Sequence, residues 1–151
     1  MEEQKSNVKA DFARKFEEER VEWTEKIRVL AIRMRNIYEL AEVQVDLFTD
    51  RQILLEYTSK LNQVMVKLNA KYRKDKAERL KYYSESHQFK YGSNEKTPLI
   101  EGDLSELKER IDTVDYQVSF LNETVKTVDF MIYGVRQRIA LEEYMRAGSP
   151  K

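Results

Sequence analysis

The chain contains no cysteine, one histidine, one tryptophan, two prolines and four glycines in 151 residues. Without cysteine there is no disulfide framework, no thiolate metal site and no sulfur nucleophile. His87 stands with Ser84, Glu85 and Ser86 in a polar segment, and a lone imidazole makes neither a metal site nor a catalytic pair. No glycine-rich phosphate loop occurs, which argues against ATP hydrolysis. Ser93 to Lys96 fits Ser-x-x-Lys but has none of the partner motifs that give that pattern meaning. No apolar run approaches the roughly 20 residues that cross a bilayer. The first twenty residues are polar and charged rather than signal-like. These absences lead us to expect a soluble, cytoplasmic protein that is not an enzyme, with no metal, no cofactor and no membrane partner.

What is present is helix-forming. Hydrophobic residues make up 41% and charged residues 36% of the chain, and so few breakers among Lys, Arg, Glu and Leu predict an all-α protein. The dominant stretch is Leu104 to Arg146. Alternating steps of three and four residues pass through Leu104, Leu107, Ile111, Val114, Val118, Leu121, Val125, Val128, Ile132, Val135 and Ile139, all aliphatic. A repeat of 3.5 sustained this long makes helices supercoil around partners. β-Branched residues in both core series point beyond a parallel dimer. Phe120, Phe130, Met131, Leu141 and Met145 add apolar surface outside the seam, so the aliphatic repeat is expected to hold an oligomer together; the alternative is that this helix packs only against the chain's own other helices. Asp103 with Glu106 predicts an N-cap, and Gly148 with Pro150 a stop, giving a coiled-coil helix over 103–147 of roughly 65 Å.

Upstream, Met1 to Glu19 carries Val8, Phe12 and Phe16 on one face and fits either a helix or a frayed arm. Trp23, Ile27, Leu30, Met34, Ile37 and Ala41 predict a second helix, supported by a Glu22–Lys26 pair. Val43, Val45 and Leu47 alternate with Glu42, Gln44 and Asp46, predicting a break or a short extended segment, with Thr49 and Asp50 as caps. The stripe then resumes through Leu54, Tyr57, Leu61, Val64 and Leu68. Ser84 to Gly102 predicts a loop long enough to be functional and to turn the last helix back antiparallel. The expected division is an N-terminal helix over 1–41 and a helical core over 42–151, whose basic segment and loop occupy 67–102.

Net charge is zero, but its distribution is uneven. Residues 60–96 hold 10 Lys or Arg against 4 Asp or Glu, whereas 1–59 and 97–151 each carry a net −3. In that basic centre Lys67, Lys71, Arg73, Lys74, Lys76, Arg79, Lys81 and Lys90 interleave with Tyr72, Tyr82, Tyr83, Phe89 and Tyr91. Cations track phosphates, and aromatic faces stack bases without reading sequence, so the pattern suits single-stranded nucleic acid. The competing reading is a solvated helix end with tyrosines packed on neighbours.

The run Lys76, Ala77, Glu78, Arg79, Leu80, Lys81, Tyr82, Tyr83, Ser84, followed by a polar segment, a long helix and a closing Met145, Arg146, Ala147, Gly148, resembles the UvsY-type recombination mediators of large tailed phages. Glu42 to Asp46 and Tyr57 to Leu61 are similar too, so the likeness covers about residues 42 to 148, roughly two thirds of the chain. The resemblance implies a ring-like homo-oligomer, a heptamer, that binds single-stranded DNA. It also implies a phage protein of DNA recombination and repair that helps load a RecA-like recombinase onto DNA covered by single-strand binding protein. Arg79 falls where the family contacts DNA. A second basic position of the motif falls on Ala77, leaving Lys76 or Lys81 to substitute, and residues 1 to about 35 lie outside the likeness. The alternative is a structural coiled-coil oligomer, a virion or assembly protein, that binds no nucleic acid.

Overall fold

The computed structural model describes residues 2–85 and 91–148, with side chains from residue 11 onward, and every element among them is helical. Helix α1 spans Glu2–Arg33, a 3₁₀ turn spans Ile37–Glu39, and α2 spans Leu40–Glu85; α3 spans Ser93–Asp103 and α4 spans Ser105–Ala147. The helices group into two compact units, one of Met1–Thr58 with Ser119–Lys151 and one of Ser59–Val118. The N-terminal helix therefore packs as an integral part of the first unit, and the chain does not divide at residue 41.

In the first unit α1 and α2 form an antiparallel hairpin. The chain breaks at Asn36, whose backbone is extended and whose side chain accepts from the Tyr38 N–H at 3.1 Å. An Asn accepting from the backbone two residues on favours a turn over continued helix. Arg33 clasps the corner, meeting Glu39 at 2.8 Å and Asp46 at 2.7 Å. From α4, Arg138 donates to the carbonyls of Met34 at 2.6 Å and Arg35 at 2.9 Å, satisfying acceptors that the end of α1 leaves open.

This places the break six residues before the segment where alternation predicts it. Residues 42–50 are helical because the core row of α2 is Leu40, Val43, Leu47, Asp50 and Leu54, spaced three and four apart and each at most 3% exposed. Val45, the middle of the apparent alternation, is 65% exposed. Asp50 is no cap; it is buried and takes Lys26 Nζ at 2.6 Å. Lys26 thus turns from its expected neighbour Glu22 toward α2, and its Nζ also lies 5.0 Å from the centre of the Trp23 ring. The second carboxylate oxygen of Asp50 has no partner among the described residues.

In the second unit α2 runs on to Glu85, and most of the expected loop is helix. Gly92 starts α3 in an extended conformation and donates its N–H to the Glu95 carboxylate at 3.0 Å. Pro98, which as a helix breaker marks this stretch as loop, lies inside α3 and removes a single donor from it. Asp103 ends α3 instead of capping α4, and Leu104 alone separates the two helices.

The aliphatic repeat forms the core of both units. Leu104, Leu107, Ile111, Val114 and Val118 are buried in the second, and Leu121, Val128, Ile132 and Val135 in the first; Val125 and Ile139 are half-buried. The chain's own helices cover this stripe, which leaves it no free face for another subunit.

Candidate nucleic-acid interface

Every candidate cation from 67 to 81 lies on α2 within the second unit. The inner side of this helix is set by Leu61, Met65, Leu68, Tyr72, Asp75, Arg79 and Tyr83, spaced three or four apart. Opposite them Lys67, Lys74 and Lys81 recur every seven residues, so they form one solvent-facing row with about 10.5 Å between successive side chains. Lys60 extends this row by one more step and is exposed. The seven-residue spacing that puts Lys60 in this row is visible in the sequence, although Lys60 lies within the core stripe of Leu54 to Leu68. Lys71 emerges beside the row and Arg73 about a third of a turn from it on the other side, whereas Lys76, seven residues before Tyr83, projects from the Tyr83 side of the helix; all three are exposed.

Ion pairs leave this surface strongly positive. Lys71 meets Asp75 at 2.8 Å, and Lys74 lies 3.9 Å from Glu78. Lys60, Lys67, Arg73, Lys76 and Lys81 have no acidic partner among the described residues. Partners on the helix surface contribute little and are exchanged for solvent or phosphate at small cost.

Arg79 and Tyr83 point toward Asp103, Tyr83 half-buried and Arg79 with 50% of its side chain exposed. Asp103, at the end of α3, accepts from the Tyr83 hydroxyl at 2.6 Å and lies 3.8 Å from Arg79 Nε. The hydrogen bond to Asp103, with partial burial and the carboxylate charge, holds the Tyr83 phenol above its ordinary pKa. The Tyr83 ring is met edge-on by Tyr82 at 5.2 Å and Tyr91 at 5.8 Å. Tyr83 is therefore a packed residue, and Tyr82, 59% exposed, is the tyrosine with ring surface to offer. Lys96 on α3 reaches the Ser84 hydroxyl at 3.4 Å, bringing a further cation to this end of α2. Lys90, with His87 and Phe89, lies outside the described residues.

The remainder of the unit carries the opposite charge. Tyr72, Glu101, Ser105, Lys108, Glu109 and Asp112 line a shallow recess of about 500 Å³. Asp112 accepts from Lys108 at 3.0 Å and raises the ammonium's pKa. Three carboxylates around one lysine repel a phosphate, so a polyanion is directed to the lysine row and away from this recess. No family model, curated protein or solved structure matches this chain. Among the described residues no group of three or more His, Asp or Glu could hold a metal ion, and no helix is long and apolar enough to cross a membrane.

Proposed function

We propose that this protein is a non-enzymatic, homo-oligomeric binder of single-stranded DNA that acts as a recombination mediator. In this reading it helps a RecA-like recombinase load onto DNA covered by single-strand binding protein, in the cytoplasm of a phage-infected host. The observation that supports DNA binding is the lysine row of α2, Lys60, Lys67, Lys74 and Lys81, with Lys71 beside it and Tyr82 at its end. Such a row follows a backbone of phosphates while the exposed tyrosine ring stacks a base, a combination that grips any single strand. Mediator action and the two protein partners rest on the family resemblance. Repetition of the row in an oligomer multiplies weak contacts through effective concentration, so that a modest affinity per subunit holds a strand firmly.

Fluorescence anisotropy with a labelled oligonucleotide tests the reading. Contacts to five phosphates give a log–log salt slope of about −3.5. Replacing Lys67, Lys74 and Lys81 together with Glu reverses the row and is expected to abolish measurable binding at moderate salt while leaving helicity intact. Wild-type protein with no salt-dependent affinity for oligonucleotides leaves the structural coiled-coil alternative, which the exposed apolar surface of the first unit favours.

A further inference from the structure

The aliphatic stripe is consumed inside the chain, yet a second apolar surface stays open in the first unit. On α2, Ala41, Val45, Phe48, Gln52 and Leu55 follow each other at steps of four and three; on α4, Phe130, Tyr133, Gln137, Ala140 and Tyr144 do the same. Val45 is 65% exposed, Phe48 52%, Phe130 77%, Tyr133 62% and Tyr144 77%. The salt bridge between Arg51 and Asp129, 2.6 Å long, draws the two rows together. Phe48 lies one turn before Arg51 and Tyr133 one turn after Asp129. Because α1 runs antiparallel to α2 and parallel to α4 in this unit, α2 and α4 are antiparallel, and these two rings fall on the same side of the bridge.

We propose that this α2–α4 face is the contact surface for a second copy of the chain, which docks through the same face about a two-fold axis. The proposal rests on the homo-oligomer part of the preceding reading and supplies its interface; DNA binding stands or falls separately. Rows at steps of three and four are the spacing by which helices interlock side chains. The two Gln residues within otherwise apolar rows are the kind of polar position that fixes register. Four aromatic rings of about 150–250 Å² each, more than half exposed, with Val45 and Leu55, offer roughly 500–700 Å², most of the ~800 Å² per partner in a stable complex. The rows carry no charge, and the chain's formal net charge is zero, so a second copy approaches without long-range repulsion. A self-complementary patch makes a closed pair; a ring of seven would need a different second surface.

Sedimentation equilibrium on the full chain decides this. The expected mass is twice the 18.1 kDa of one chain. Phe130→Glu with Tyr133→Glu, and independently Val45→Lys with Phe48→Lys, are expected to raise the dissociation constant roughly 30-fold or more, with far-ultraviolet circular dichroism unchanged. All four positions are exposed, and the two variants lie on different helices, so a folding defect in one leaves the other decisive. Wild-type protein that sediments as single chains or as an odd-numbered assembly overturns the proposal, as does a dimer indifferent to both variants. Oligonucleotide binding on the same samples separates the two readings. Single chains that still bind DNA refute only the interface, and a variant-sensitive dimer that never binds DNA refutes only the nucleic-acid reading.

Discussion

Asp103 shows how one side chain alters what a motif means. Read in the sequence, it caps the long helix; in the structure it occupies Arg79 and Tyr83, two residues assigned to DNA. A phosphate reaching Arg79 has to compete with that carboxylate. Asp103→Asn keeps an acceptor for Tyr83 while removing the charge, and is expected to tighten oligonucleotide binding about two- to five-fold at low salt, the range of an exposed ion pair. In Asp103→Ala, which removes the hydrogen bond as well as the carboxylate charge, absorbance titration of the phenols is expected to show the Tyr83 pKa falling toward its ordinary value. The acidic corner at Arg33 provides a pH test. The hydrogen bond from Arg33, helped by Asn36, holds the Glu39 carboxyl below its usual pKa. A depressed carboxyl contributes stability above its unfolded value and loses it as pH falls through the folded value. Thermal melts of Glu39→Gln are expected to lie below wild type near neutral pH, and the difference to close as pH drops below about 4.

At the scale of elements, the sequence marked most helices correctly and most of their boundaries poorly. The aliphatic period over Leu104 to Ile139 predicts α4, and the burial of nine of its eleven positions follows the same period. Alternation places the break between α1 and α2 too late because Val43, Val45 and Leu47 are apolar at spacing two, and only packing reveals that Val45 faces away from the core. Helix α3 is hidden in the sequence because Gly92, Pro98 and Gly102 are punctuation that here falls at a cap, inside, and near an end. The period of the repeat points to contact between subunits, although its residues fill the chain's own core, the alternative that the same period allows. This assignment has a direct test. Leu121 is fully buried and Val125 only half-buried, so Leu121→Ala is expected to lower stability to denaturant by ~2–5 kcal/mol, with Val125→Ala costing clearly less. Intrachain packing further requires that the Leu121→Ala loss persist at concentrations where the chain is monomeric.

At the scale of the whole molecule, what the sequence by itself determined was helix content, the basic centre at 60–96 and the presence of more apolar surface than one seam needs. Each depends on composition or on the period of a single segment, and both are written locally. Only the tertiary structure decided which apolar row is core and which is surface, because two rows of equal spacing on opposite sides of α2 look alike until a neighbouring helix covers one. The same holds for charge. Lys67, Lys74 and Lys81 stay in solvent while Arg79 turns to Asp103, since α3 brings a carboxylate from more than twenty residues away in the chain to that side of the helix and leaves the other bare.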